Sequence, residues 1–226
     1  MARRPALIAA LRHLVPDGII SSEDALVAYD SDALTAYRQK PMAVVLPKTA
    51  AQVSAVLDLC SSMGVRIIPR GAGTSLSGGA LPVADGVVIG LSRMNRILEI
   101  DLENRCAVVQ PGVTNLSITR AVQGDGFYYA PDPSSQVACT IGGNVAENSG
   151  GIHCLKYGLT TNNLLGVEFV LMNGKRLRLG GKAMDAPGLD LLGLITGSEG
   201  LLGIVTEVTV RLRRVPPRTE ALLLAF

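Results

Sequence analysis

Residues 69–79 read Pro-Arg-Gly-Ala-Gly-Thr-Ser-Leu-Ser-Gly-Gly. They follow a short apolar run, Val65-Arg66-Ile67-Ile68, so a strand runs into a loop with almost no side-chain bulk. Glycines at 71, 73, 78 and 79 carry no Cβ and permit positive φ. Thr74, Ser75 and Ser77 supply hydroxyls. Successive backbone N–H groups in such a loop form a concave anion site suited to a diphosphate. A tight surface turn has the same composition, and both readings stand at this point. Two common nucleotide motifs are excluded. The Rossmann pattern needs glycine three residues after Gly73, where Leu76 stands, and Walker A needs lysine after Gly78, where Gly79 stands. A phosphate ligand here is held by some other fold.

Composition narrows the class. A chain of 226 residues can bury a real core as one large or two small domains. With 25 glycines, no tryptophan and 18% charged residues, it suits a tightly packed, strand-rich body whose backbone approaches a ligand closely. A net charge of +2, without a basic tract interleaved with aromatics, argues against nucleic acid as a partner. Cys60, Cys106, Cys139 and Cys154 form no CxxC pair, and His13 and His153 are the two histidines, so no metal site is expected. The apolar run after Arg3 and Arg4 breaks at Arg12 and His13, too early for a signal peptide. No stretch approaches the ~20 apolar residues of a membrane span. The expectation is a cytoplasmic protein with at most peripheral membrane association.

Periodicity then orders the chain. Leu7, Ile8, Leu11 and Leu14 follow Pro5 on one face of an N-terminal helix. Residues 21–40 are polar and peripheral. Residues 42–46 read as a strand. Residues 49–63 read as a helix capped by Thr49, with Val53, Val56, Leu57 and Cys60 inward and Gly64 as its stop. Strands at 65–68 and 86–91 complete a β-α-β unit with the glycine loop at its exit. A second unit opens with a hairpin, 97–101 and 106–110, followed by a helix at 114–123. Residues 126–151 read as a long loop-rich segment around a short apolar turn. Residues 167–172 and 176–179 form a hairpin across Asn173-Gly174, the type I′ pair. Residues 190–194 read as a helical turn. In 204–212, Ile204, Thr206, Val208, Val210 and Leu212 alternate with Val205, Glu207, Thr209 and Arg211, the pattern of a strand with one buried face. Arg213 to Arg218 looks like a domain exit, and 220–226 begins a new apolar run, so a fragment with its next domain missing is expected.

Two further clusters resemble the first. Residues 131–151 read Pro-Asp-Pro-Ser-Ser-Gln-Val-Ala-Cys-Thr-Ile-Gly-Gly-Asn-Val-Ala-Glu-Asn-Ser-Gly-Gly. Asn144 and Asn148 each offer a donor and an acceptor, which suits a heteroaromatic ring edge such as a flavin's. Residues 197–206 read Gly-Ser-Glu-Gly-Leu-Leu-Gly-Ile-Val-Thr, and Glu199 reads either as acceptor for a ribose hydroxyl or as a helix cap.

In this order and spacing, with Lys156-Tyr157-Gly158, the three clusters resemble the flavin domain of the vanillyl-alcohol oxidase/p-cresol methylhydroxylase (PCMH-type) superfamily. Within it they are similar to the branch of glycolate oxidase FAD subunits and D-lactate dehydrogenases, over residues 15–220. The resemblance implies an α+β fold of two α+β subdomains with FAD between them. It divides the chain into an N-terminal helical segment at 1–40, subdomains at 41–96 and 97–217, and the start of a C-terminal cap at 218–226. It implies that Arg70, Gly71, Ala72, Gly73, Thr74 and Ser75, with Ser77, Gly78 and Gly79, hold the pyrophosphate. Pro111 and Gly112 would line the cleft. Pro131, Asp132 and Ser135, then Thr140, Ile141, Gly142, Gly143 and Asn144, would follow the ribityl chain and flavin, with Asn148, Ser149 and Gly150 beside them. Glu199, Gly200, Ile204 and Val205 would lie near the adenosine half.

The implied chemistry is oxidation of a small 2-hydroxy acid, glycolate or D-lactate, to the 2-oxo acid, with companion electron-transfer subunits. A non-catalytic flavin-binding or electron-transfer subunit is the alternative. No catalytic residue is assigned within 1–226, because His13 lies in the first helix and His153 has no evident partner in the sequence. Some relatives tether flavin through a histidine in the first glycine loop, and none stands between Pro69 and Pro82. The FAD is therefore expected to be non-covalent. Acid precipitation of flavin-loaded protein is expected to leave the yellow colour in the supernatant, and colour retained in the pellet would show a covalent link.

Overall fold

The computed structural model describes residues 3–183, 188–218 and 220–224. Helix α1 (Arg3–Leu14) buries Leu7 and Leu11, followed by Val15. Next come β1 (Ile19–Ile20), α2 (Glu23–Leu26) and a 3-10 turn at Val27–Tyr29. The segment 21–40 read as peripheral thus holds a short helix and a 3-10 turn, directly after the edge strand β1. Then follow β2 (Ala43–Val45), α3 (Ala50–Ser62), β3 (Arg66–Arg70) and β4 (Gly86–Gly90). The sheet order is β1-β2-β4-β3, with β4 parallel to both β2 and β3 and β1 antiparallel to β2. Strand β4 is buried along its whole length, which is why Gly-Val-Val-Ile-Gly carries no polar alternation. Thr49 Oγ1 accepts from Gln52 N at 3.2 Å to start α3, and Gly64 at φ +58° ends it.

The second sheet uses β5 (Ile97–Asp101) and β6 (Cys106–Val109), after which come α4 (Asn115–Val122), β7 (Phe127–Tyr128), α5 (Ile141–Glu147) and α6 (Cys154–Tyr157). It continues with β8 (Leu164–Leu171), β9 (Arg176–Gly180), α7 (Leu191–Ile195), β10 (Gly203–Arg211) and β11 (Arg213–Arg214). It is antiparallel in the order β5-β6-β10-β8-β9. β11 pairs with β7, so the residues read as a domain exit first close a small ribbon.

One face of this sheet packs Phe169, Val205, Val208 and Val210 under Ile118 and Val122 of α4 and Ile141 and Val145 of α5. From the other face Val170 and Ile204 enter the same core as Val53, Val56 and Leu57 of α3 and Val87 and Ile89 of β4. Both are fully buried or nearly so, and burying an aliphatic side chain of this size contributes roughly 1.5–3 kcal/mol. A hydrogen bond from Ser54 Oγ to Gly174 O adds roughly 1 kcal/mol to the same seam. Apolar burial is therefore what holds the two sheets together.

Three expectations change. Within 126–151 the short apolar turn is a full helix, α5. Its two leading glycines and Asn144 are weak helix formers, so tertiary packing of Ile141 and Val145 makes the helix rather than propensity. The turn at 172–174 is not type I′. Gly174 takes φ +78° while Asn173 stays out of the left-handed region, and Gly174 N and Lys175 O close on Leu171 as a type I turn with a glycine bulge. Finally, β10 is buried on both faces as a central strand, and its alternation breaks at a bulge between Val205 and Glu207. The bulge puts Val205 and Val208 into one core although they are three residues apart.

Glu168 on β8 is the buried charge of this seam, 5% exposed. Arg176 Nη2 lies 2.8 Å and Arg178 Nη2 3.3 Å from its Oε2, and Thr206 Oγ1 donates to Oε1 at 2.9 Å. Burial alone raises this carboxyl's pKa, but the hydrogen bonds from Arg176 and Thr206 and the two guanidinium charges outweigh it, leaving a net lowering. A lowered folded-state value means the stabilisation is present above the ordinary carboxylate range and is lost as pH falls through the folded value. Glu168→Gln is expected to cost about 1–3 kcal/mol at pH 7, toward the lower end because both arginines face solvent. The gap to wild type in urea melts should close as pH drops below about 4. A gap that persists there would contradict the ion-pair account.

Candidate functional site

Strand β3 ends at Arg70, whose carbonyl accepts from Leu91 N at 3.0 Å, and the chain leaves the sheet as the glycine loop. Gly73 and Gly78 adopt φ +72° and +83°. Ser77 N donates to Ser75 Oγ at 3.1 Å and Leu81 N to Gly78 O at 3.0 Å. The amides of residues 71–76 donate to no acceptor among the described residues.

Facing the loop is the start of α5. Ile141 N donates to Val113 O at 2.8 Å and Gly142 N to Pro111 O at 2.9 Å, which seats the first turn on the chain after β6. A Cβ on Gly142 would fall 2.6 Å from Pro111 Cβ, and one on Gly71 would fall 2.5 Å from Thr140 Oγ1 and 3.6 Å from Gly143 Cα. Loop and helix lie side by side because no side chain separates them. The end of α5 carries the third wall. Gly197 N donates to Val145 O and Glu199 N to Ala146 O, both at 2.8 Å. Glu199 sits at φ +53°, and no helix starts there, so it caps none.

These walls enclose a cleft of about 300 Å³, at the lower end of the ~300–1,000 Å³ typical of small-molecule sites. Of the residues expected at the cofactor, Arg70, Gly71, Ala72, Gly73, Thr74, Ser75 and Gly79 line it on the loop side. Ser135, Thr140, Gly142, Gly143, Asn144 and Ser149 line it on the α5 side, and Glu199, Gly200, Ile204 and Val205 on the third. The others stand outside the lining. Ser77 turns its hydroxyl to Glu147 Oε2 at 3.1 Å, and Gly78 packs near Leu34. Pro111 supports α5, and Gly112 N donates to Met94 O at 2.8 Å. Pro131 O accepts from Asn115 Nδ2 at 3.0 Å, and Asp132 Oδ1 from His153 N at 3.0 Å. Ile141 is core, Asn148 Oδ1 accepts from Thr161 N at 3.1 Å, and Gly150 packs on Cys154.

The cleft also holds residues without a sequence signal of their own. Phe169 and Ile195 give it an apolar wall, and Cys139 lies beside Thr140. Glu147 comes from a segment read as loop. A Cβ on Gly79 would lie 3.1 Å from Glu199 Oε2 and 3.3 Å from Glu147 Oε1, so two carboxylates flank the loop's far end. No group of metal-ligating side chains occurs among the described residues. His153 does have a partner. Its Nδ1 lies 3.2 Å from Asp132 Oδ2 and 3.2 Å from Ala130 O, outside the cleft lining. All four cysteines are free, and no described helix is long and apolar enough to cross a membrane.

Two polar atoms in the cleft wall argue for a bound group. Thr140 Oγ1 and Asn144 Nδ2 belong to residues 6% and 1% exposed, and neither has a hydrogen-bond partner among the described residues. Buried polar atoms are rarely left unpaired, so such a pair on a cleft calls for a partner from outside the chain. With the unpaired loop amides opposite, the donor set fits a long molecule carrying both a diphosphate and hydrogen-bond acceptors.

Comparison with known proteins agrees. Residues 41–180 match the family described as FAD binding domain. Glycolate oxidase subunit GlcD of Escherichia coli (strain K12) is 53% identical over 99% of this chain and 45% of its own length. D-lactate dehydrogenase of Anaerostipes hadrus is 33% identical over 98% of this chain and 47% of its own length. A solved structure of alkyldihydroxyacetonephosphate synthase superposes with a TM-score of 0.84 at 27% identity, covering 95% of this chain and 41% of that one. The chain spans about half the length of the curated relatives it matches.

The close approach of α5 to Pro111 is testable. Gly142→Ala forces its Cβ against a proline ring and carbonyl that cannot rotate away. It is expected to lower stability by about 1–3 kcal/mol, as overpacking does, read as a drop in the ligand-free Tm. An unchanged Tm would show that the helix start can shift freely.

Proposed function

The chain belongs to the FAD binding domain family, and from that premise we propose that it is the flavin-holding part of an oxidoreductase acting on a small 2-hydroxy acid such as glycolate or D-lactate. The unpaired amides of residues 71–76, opposite the unpaired Thr140 hydroxyl and Asn144 amide across one cleft, carry this reading. In it the loop amides hold the diphosphate of FAD, and their partial positive charge acts at short range without a basic side chain. Thr140 and Asn144 donate to the cofactor beyond the diphosphate. Glu147 and Glu199 accept from the hydroxyls of its adenosine half. Phe169, Ile195 and Val205 exclude water from the wall between them. Bound there, FAD supplies the two-electron acceptor for oxidation of the 2-hydroxy acid to the 2-oxo acid.

The same proposal keeps subdomains at 41–96 and 97–217, supported by β2, β3 and β4 lying in the first and all five strands of the second sheet in the other, while β1 joins the first sheet from residues 19–20. The length of the relatives leaves room for a substrate-binding cap starting at 218–226. Companion subunits that accept the electrons, a non-covalent cofactor and a cytoplasmic setting belong to the same proposal. Neither histidine lines the cleft, so the proton-accepting group is assigned outside this chain.

Two measurements test this. FAD at about 100 times its Kd is expected to stabilise the chain by about 2.7 kcal/mol, seen as a raised Tm with flavin absorbance retained on gel filtration. No Tm rise and no retained absorbance would refute flavin binding. Glycolate or D-lactate added anaerobically to the FAD-loaded chain is expected to leave the flavin oxidised. Bleaching by either would move the catalytic base into residues 1–226.

A further inference from the structure

Arg70 is the basic residue on the glycine loop, and a guanidinium beside a phosphate loop would ordinarily be a phosphate ligand. Its geometry points the other way. Arg70 Nη1 donates to Ser31 O at 2.7 Å, and Cζ stands 5.6 Å from the centre of the Tyr29 ring. The guanidinium fills the space that a Cβ on Gly73 would occupy. Gly73 O in turn accepts from Ala33 N at 2.9 Å. At the loop's other end, a Cβ on Gly78 would lie 3.6 Å from Leu34 Cδ2. Residues 29–34 therefore touch the loop at both of its left-handed glycines. This segment precedes the stretch 41–180 that matches the FAD binding domain family.

The segment is itself fixed by buried carboxylates. Asp32 is 6% exposed, and its Oδ1 accepts from Leu34 N at 3.0 Å, while its Oδ2 has no hydrogen-bond partner among the described residues. A buried carboxylate oxygen left unpaired is costly unless it faces a positive charge. Burial of the Arg70 guanidinium lowers its pKa, and the Asp32 carboxylate is the largest influence acting to raise it. Asp30, 8% exposed, pairs with Arg38 at 3.4 Å.

We propose that residues 29–34 form a strap that sets the glycine loop in the shape a diphosphate needs, with Arg70 as a positioning residue behind the loop rather than a ligand in front of it. The inference rests on the flavin reading of the cleft. Ser31 O and the Tyr29 ring seat the Arg70 guanidinium under Gly73, the Asp32 carboxylate favours its charge there, and Ala33 N and Leu34 hold the two ends of the loop. The amides of residues 71–76 then stay open without the flexible chain paying their ordering at each binding event.

The test compares the whole chain with its Asp32→Asn and Tyr29→Leu variants, titrated with FAD, ADP and riboflavin. Riboflavin has no phosphate and reports on the rest of the cleft. The strap predicts that FAD and ADP bind about tenfold more weakly in each variant, about 1.4 kcal/mol, while riboflavin affinity and ligand-free Tm stay close to wild type. Removing a negative charge near an anion site would by simple electrostatics tighten ADP binding, so tighter or unchanged ADP binding in both variants overturns the proposal. An equal loss for riboflavin also overturns it, because the effect is then general unfolding. Should Asp32→Asn fail to fold, Tyr29→Leu decides alone, since it removes the ring beneath Arg70 and leaves the carboxylates in place. A wild-type chain that binds neither FAD nor ADP would instead sink the flavin reading itself.

Discussion

Everything in this molecule depends on one shared core. Helix α3 lies between the two sheets, and Val170 of β8 and Ile204 of β10 are buried with it rather than with their own sheet's other face. The cleft is bounded on one side by a loop that leaves the first sheet and on another by a helix that rides on the second. Its width is set by how those sheets sit, and that is fixed by apolar contact and not by the sparse hydrogen bonds across the seam. Interiors packed this closely are nearly incompressible. The cleft therefore exists before any ligand arrives, and its unpaired donors are a property of the packed body.

Within that frame the three glycine clusters have distinct tasks. In the first, glycine turns the chain so that amides point outward. In the second, it lets a helix start directly against a neighbouring chain. In the third, it brings a tight turn against Pro69 at the end of β3. The site consequently gathers most of its polarity from backbone, which cannot swing away as side chains do. The acidic end beside Gly79 and the guanidinium engaged by Ser31 O beneath Gly73 leave the anion-facing part without a free basic side chain among the described residues. Recognition then rests on directed N–H groups.

Much of this was legible in residue order. The strands around β4, the Thr49 cap, the stop at Gly64 and the three glycine clusters are local signals, and local physics decides them. The illegible parts are those that distant contacts decide. Helix α5 carries two glycines and an asparagine right after its first residue and is held by what lies on it. Strand β10 alternates in sequence, yet a bulge against β8 reverses its faces, and no residue in 204–212 announces the break. The short strands β1, β7 and β11 are two residues each and owe their existence to a partner elsewhere. Asp30, Asp32 and Tyr29 looked like surface residues because charge and burial normally exclude one another. Asp30 and Asp32 are nonetheless buried and Tyr29 half-buried, Asp30 paired with Arg38 and Tyr29 lying under the guanidinium of Arg70.

The position of β10 has a consequence for how the molecule comes into being. The first sheet is complete once Gly90 has been made. The second sheet runs β5-β6-β10-β8-β9, so the last long strand of the chain is also its centre. During synthesis from the N-terminus, β6 and β8 have no common neighbour until residues 203–211 emerge. The glycine loop is thus made well before the wall it faces, and the cleft can close only after β10 has joined the sheet.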